Sequence, residues 1–194
     1  AGAAFPAGSL RAAAYNPGRP APASLSAGQR VTSREYDDFD RLITETVDLE
    51  DGGQATLRYT YWRNGLRKTA TDASGRVTFY EYNGRSLLSR VTVNQGLPDE
   101  QATTYEYWPD NLLKTIRRPN GTATAYTYDD ADRVFTIVVS KGPTRLAAYE
   151  YAYDDNGNRT SQVEDNGGPP ETTRYEYDGL NRLRVVTYPG GRSV

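Results

Sequence analysis

The sequence contains no cysteine, no histidine and no methionine in 194 residues. Without cysteine there are neither disulfides nor thiolate chemistry, and the redox compartment leaves no mark. Without histidine the commonest general base and the commonest metal ligand are both missing. With no methionine even at its start, the chain reads as a processed product or a piece of something longer. Phenylalanine is scarce, at 4 residues against 16 tyrosines, and hydrophobic residues make up only 37 %. A tyrosine-dominated interior is thin or partly wet, because each buried hydroxyl needs a partner. No apolar run approaches the ~18 residues that would suggest a membrane span. A net charge of −2 is not the clustered basic face of a nucleic-acid binder. No cofactor is implied.

What is present repeats. Tyr59-Thr60-Tyr61, Tyr80-Glu81-Tyr82, Tyr105-Glu106-Tyr107, Tyr126-Thr127-Tyr128, Tyr151-Ala152-Tyr153 and Tyr175-Glu176-Tyr177 are near-copies, preceded by a half-copy, Arg34-Glu35-Tyr36. The second tyrosines fall at 36, 61, 82, 107, 128, 153 and 177, spaced by 25, 21, 25, 21, 25 and 24 residues. A period in this range is the mark of a repeat architecture. Its alternation adds a super-period of 46 residues.

Each unit has one grammar. Alternation in Tyr-x-Tyr puts both tyrosines on one face of a strand. A turn rich in Asp, Asn and Gly follows, residue types that tolerate the left-handed conformations of tight hairpins. The next strand opens on an aliphatic residue, at Leu42, Leu66, Leu88, Leu113, Val134 and Leu183. Arg159-Thr160 breaks that pattern in the sixth unit, with no reason visible in the sequence. Short units close on compact second turns and long ones carry about four residues more, an even number that keeps the faces in phase. The last, odd spacing is expected to be absorbed by Gly167-Gly168-Pro169-Pro170. The fold expected is all-β: tandem antiparallel β-hairpin repeats forming a curved or spiral sheet, with an extended N-terminal arm. Residues 1–30, rich in Ala, Pro and Gly, are that arm or a linker, and residues 31–194 hold seven hairpin repeats. The tyrosines named above, Tyr36 included, are the expected repeat core. Stability is then a sum of neighbour interfaces.

Tyr126-Thr127-Tyr128-Asp129 with Asp132-Arg133-Val134, and Tyr175-Glu176-Tyr177-Asp178-Gly179-Leu180-Asn181-Arg182-Leu183, resemble the YD (RHS) repeat. The similarity runs over about residues 33–188. Trp62, Asn83 and Trp108 depart from it at the Asp position, and units two and four lack the Arg-Leu pair. The resemblance implies long hairpin strips that spiral into a hollow shell. Such shells enclose a toxic polypeptide in bacterial RHS and insecticidal toxin-complex proteins, and serve as adhesion scaffolds in teneurin-type cell-surface proteins. The family's self-cleaving core domain and toxin have no matching segment in this sequence, so neither activity is carried over.

Other constellations read as structure first. The Asp37–Asp40, Asp129–Asp132 and Asp154–Asn158 clusters offer hard oxygens, but turn geometry explains them and no bidentate Glu follows at calcium-loop distance. Trp62 and Trp108, one super-period apart, are either caps on the tyrosine ladder or a sugar-stacking pair. Asn120-Gly121-Thr122 and Asn158-Arg159-Thr160 fit the N-glycosylation pattern in predicted turns. No nucleophile–base set is present, so an enzyme is not expected.

After Tyr188-Pro189-Gly190-Gly191 the strand before the turn is expected to show an unpaired edge, open to pairing. The partners expected are other copies of the chain, or adjacent repeats of a longer one, met through open β edges and the N-terminal arm. The function expected is a non-enzymatic extracellular or cell-surface structural module, bacterial by its resemblance. It would build a filament or a shell; a toxin-encapsulating shell segment and a carbohydrate-binding adhesion surface are the alternatives.

Overall fold

The computed structural model of the chain describes residues 11–14, 31–50 and 52–194. It divides into two compact units, residues 1–101 and 102–194. In the first unit, β1 (Arg11–Ala14) precedes three hairpins: β2 (Val31–Tyr36) with β3 (Leu42–Asp48), β4 (Gln54–Tyr61) with β5 (Arg67–Thr71), and β6 (Val77–Tyr82) with β7 (Leu88–Val93). The second unit holds four: β8 (Gln101–Tyr107) with β9 (Leu113–Arg117), β10 (Thr122–Tyr128) with β11 (Val134–Lys141), β12 (Thr144–Tyr153) with β13 (Arg159–Asp165), and β14 (Glu171–Tyr177) with β15 (Leu183–Thr187). Within each unit every strand from β2 onward pairs antiparallel with its neighbour in sequence. The fold is all-β and built from tandem antiparallel hairpins, as the repeats predict. The one helical element among the described residues is a single 3-10 turn, Pro189–Gly191.

Of the expected N-terminal arm, only Arg11–Ala14 lies within the described residues. It runs parallel to β2, with Arg11 opposite Val31 and Ala14 opposite Arg34.

Every hairpin carries the same irregularity. Glu35 faces Thr44 while Tyr36 faces Leu42, so Ile43 is an extra residue in β3. The shift recurs between Thr60 and Tyr61, Glu81 and Tyr82, Glu106 and Tyr107, Thr127 and Tyr128, Ala152 and Tyr153, and Glu176 and Tyr177. A bulge of this kind leaves one residue out of the ladder and sharpens the local twist. The expected register is also corrected in the second unit of the repeat. Arg67, not Leu66, opposes Tyr61 and opens β5. Leu66 instead closes the turn, accepting a hydrogen bond from the Trp62 amide at 2.8 Å.

The hairpin turns share one geometry too. The amide of Asp37 donates to the Arg41 carbonyl at 2.9 Å, and the Asp40 amide donates back to the Asp37 carbonyl at 3.0 Å. This is a three-residue loop whose last position is left-handed, the arrangement that matches strand twist. Asp40, Ser86, Asn111, Asp132 and Asn181 take that position at φ 58–77°, and Gly65 and Gly157 at 84°. The long units absorb their extra residues differently. β3 and β4 are longer than β5 and β6, the Asn94–Glu100 segment forms a wider loop, and β11 and β12 meet through Gly142-Pro143 with a bulge after Val139. The odd residue of the last spacing sits in the loop before β14, since β13 and β14 pair without a shift.

No hydrophobic side chain among the described residues is fully buried; the buried ones are Thr32, Thr92, Thr115 and Thr124. Each sheet face is therefore a half-covered surface. One face carries the tyrosines against Val91, Ile116, Ile137 and Val186. The other carries threonine pairs, with hydroxyls 2.6 Å apart between Thr60 and Thr69 and between Thr127 and Thr136. Cross-strand pairs of these kinds contribute about 0.2–1 kcal/mol each.

Candidate functional site

The repeated chemistry lies along the turn side of the sheet, where one hairpin locks onto the next. It starts with the aspartate that follows Tyr-x-Tyr. Asp37 Oδ1 accepts from the amides of Phe39 and Arg41 at 2.9 and 3.0 Å, and Oδ2 accepts from Arg41 Nε at 2.7 Å. Asp129 and Asp178 repeat this with Arg133 and Arg182. Asp154 repeats it with Asn158 in place of the arginine. The side-chain bond from Arg41 holds the Asp37 carboxyl below the usual carboxylate range, and Arg182 does the same for Asp178. These oxygens are spent on the turn, which is the structural role that their clustering suggests.

The arginine then reaches the next hairpin. Arg41 sits 4.8 Å from the ring centroid of Tyr61 and donates to the Trp62 carbonyl at 3.3 Å. Arg133 sits 4.7 Å from the ring of Tyr153 and donates to the Asp154 carbonyl at 2.9 Å. The tyrosine answers in the other direction. Tyr61, Tyr128, Tyr153 and Tyr177 donate their hydroxyls to the carbonyls of Leu42, Leu113, Val134 and Arg159 at 2.7–3.0 Å. All four acceptors stand immediately before the extra residue of the preceding hairpin's bulge. A bulge disrupts the ladder locally, and a buried carbonyl left unmatched costs about 1–3 kcal/mol. In these four units the second tyrosine is thus the cap of its neighbour's bulge. Burial pushes the hydroxyls of Tyr82, Tyr107, Tyr128 and Tyr151 above their ordinary pKa.

The expected repeat-core tyrosines are brought into this row, but as half-buried rings. Tyr59, Tyr61, Tyr80, Tyr82, Tyr105, Tyr107, Tyr126, Tyr128, Tyr151, Tyr153, Tyr175 and Tyr177 are all partly covered, and Tyr36 is exposed. The Arg159 exception acquires a reason. Its guanidinium lies 4.6 Å from the Tyr175 ring and 5.7 Å from that of Tyr151, filling the space an aliphatic side chain takes elsewhere. Arg67, 4.5 Å from the Tyr59 ring, does likewise.

Trp62 and Trp108 replace the aspartate with a second kind of clamp. Each donates its indole N–H to the carbonyl of the next hairpin's first tyrosine, Tyr80 at 3.1 Å and Tyr126 at 3.3 Å. Each ring carries a lysine from the bulge position, Lys68 at 4.8 Å and Lys114 at 4.4 Å. Trp62 also meets Phe79 edge-on at 5.8 Å. Two shallow clefts, of about 460 and 570 Å³, flank the Trp62–Gly65 loop in the first unit. Of the sequon asparagines, Asn120 uses its carbonyl oxygen on Thr122. Asn158 commits its amide nitrogen to Asp154 and Asn181, both at 2.9 Å.

At the C-terminal side the expected bare edge is partly covered. Val186 and Val194 exchange both backbone hydrogen bonds, at 2.9 and 3.0 Å, and Thr187 pairs with Ser193. The unpaired-edge expectation is corrected there: the residues after the turn fold back as the beginning of a strand.

Residues 107–144 and 153–193 match the family model described as RHS Repeat. Over these two segments the chain is similar to RHS repeats. The motifs that resemble the YD pattern lie inside those matches. No curated protein sequence matches the chain. Among solved structures, the crystal structure of TcdB2-TccC3 without its hypervariable C-terminal region aligns with a TM-score of 0.71 at 19 % identity, over 83 % of this chain and 10 % of that one. The TcdB2-TccC3-Cdc42 crystal structure gives 0.70 at 18 %, over 84 % and 9 %. The Photorhabdus luminescens Tc holotoxin pore gives 0.68 at 20 %, over 77 % and 8 %. The chain spans about a tenth of the length of these chains, and the likeness is one of fold.

Proposed function

We propose that the chain is a non-enzymatic strip of wall: RHS-repeat hairpins that form part of a β-sheet shell, continued by further repeats of the same kind. The observation that carries this reading is the joint between hairpins. Tyr61 on Leu42 and Tyr153 on Val134 are made by successive hairpins, so each unit completes its neighbour rather than a private core. Sheets that bury no apolar side chain fully depend on such continuity. The likeness to short stretches of far longer Tc chains favours covalent continuation over a filament of separate copies. In this reading the protein is secreted or surface-exposed and bacterial, its partners are adjacent repeats, and the wall encloses cargo.

Electron microscopy of the product of the whole reading frame tests it. Hollow particles with sheet walls are expected. Solid filaments whose length grows with concentration of this chain alone would instead establish self-assembly.

A further inference from the structure

Three of the hairpin turns that follow Tyr-x-Tyr hold an Asp–Arg pair, but the arginines are not equally covered. Arg41 and Arg133, bracketed by Tyr61 and Tyr153, are 28 % and 32 % exposed. Arg182 holds the same bond to Asp178, at 2.7 Å, yet is 73 % exposed. Leu183, beside it and just before the bulge's extra residue, is 54 % exposed, whereas its equivalents Leu42, Leu113 and Val134 are half-buried.

The backbone at this edge is already set in an internal register. In β9–β10, Ile116 faces Thr124 and Arg117 faces Ala123, across a loop closed by Arg118 N–H on the Thr122 carbonyl at 2.8 Å. At β15, Val186 faces Val194 and Thr187 faces Ser193, across a loop closed by Tyr188 N–H on the Arg192 carbonyl at 2.8 Å. A strand that continues from Val194 along β15 in this register brings its second tyrosine to the place that Tyr128 holds beside Leu113.

We propose that Arg182, the Leu183 carbonyl and the edge of β15 form a docking socket for a Tyr-x-Tyr strand of the same repeat chemistry, with Arg192–Val194 setting its register. The ring of the incoming second tyrosine packs under the Arg182 guanidinium, and its hydroxyl donates to Leu183. This rests on the wall reading above and deepens it, naming the groups that receive the next hairpin.

The test extends the full chain after Val194 with a copy of residues 125–133, which supplies Tyr-Thr-Tyr-Asp in phase. Urea unfolding and amide exchange are compared between parent and extended chains. The extension is expected to raise the urea midpoint and to slow exchange along β15. Arg182→Ala should lower the folded-to-unfolded ratio about 3-fold more in the extended chain than in the parent. Replacing the second appended tyrosine by leucine should abolish that difference. An unchanged midpoint, or an equal cost of Arg182→Ala in both chains, overturns the socket. Neither result bears on whether the whole reading frame makes hollow particles, so failure of the two proposals is distinguishable.

Discussion

The guanidinium of Arg133 lies 4.7 Å from the ring centroid of Tyr153 while bonded to Asp129 of its own turn and to the carbonyl of Asp154 in the next. One side chain thereby joins two turns and a ring. Tyr153 returns a hydroxyl bond to Val134, so the two hairpins are locked in both directions. The Asp-turn-Arg motif is a joint, and the tyrosine before the aspartate is its counterpart.

Removing only the returned bond tests its weight. Tyr153→Phe keeps the ring beneath Arg133 but deprives the Val134 carbonyl of its donor. We expect a loss of about 1 kcal/mol, and a fall in melting temperature of about 2–4 °C, for a chain of this size. Tyr149→Phe is the control: its hydroxyl reaches only Asn166, at 3.4 Å in an exposed pair, and should cost a few tenths of that. Thermal denaturation followed by circular dichroism reads both. Equal effects would show that the bulge carbonyl needs no cap.

The periodicity made the hairpins, the tyrosine face and the turn positions legible, because each depends on residue type at fixed spacing. The bulge was not legible. Its extra residues are Ile43, Lys68, Ser89, Lys114, Phe135, Thr160 and Arg184, which share no chemistry. What they share is a backbone place, created by the three-residue loop before them. Leu66 is a separate case: it stands five residues after Tyr61, whereas the residue that opens the strand stands six after its tyrosine, the place of Arg67 and Arg159. Nor does spacing reveal that a tyrosine hydroxyl and a carbonyl 19 residues earlier, as in Tyr61 and Leu42, are partners.

The aspartate turns should make the stability of the sheet depend on pH. The carboxyls of Asp37, Asp154 and Asp178 are held below their ordinary value of 3.8 by side-chain bonds from Arg41, Asn158 and Arg182. A depressed folded pKa means that the contribution is fully present above the unfolded pKa and is lost as pH falls through the folded one. Urea midpoints should therefore be flat from neutrality to about pH 5 and decline below about pH 4. The triple variant Asp37→Asn, Asp154→Asn, Asp178→Asn should start lower at pH 7 and decline less. A parallel decline in both proteins would assign the acid sensitivity to other carboxylates.

The left-handed loop position can be probed without touching a contact. A Cβ at Gly65, where φ is 84°, meets nothing within 4 Å, so Gly65→Ala reports backbone strain alone. It should cost about 1 kcal/mol. Ser86 sits at φ 61° in the equivalent place, and Ser86→Gly should be neutral or stabilising by a few tenths of a kcal/mol. Reversed signs in equilibrium unfolding would mean that the two loops do not share one geometry.

The two clamps should be interchangeable as sets and not as single residues. In the tryptophan version, Trp62 bonds the Tyr80 carbonyl and carries Lys68, with Leu66 where the other version has arginine. Trp62→Asp alone removes the indole bond, the lysine contact and the edge contact with Phe79, and should cost about 2–3 kcal/mol. Adding Leu66→Arg supplies the partner that Arg41 and Arg133 provide for Asp37 and Asp129, and places a guanidinium toward the next hairpin. The double variant should recover about 1 kcal/mol or more of the loss, a coupling that unfolding of the four proteins of the cycle measures directly. Additive costs would mean that the tryptophan units are specialised for some contact besides the joint, and glycan binding to the clefts beside Trp62 becomes the reading to pursue.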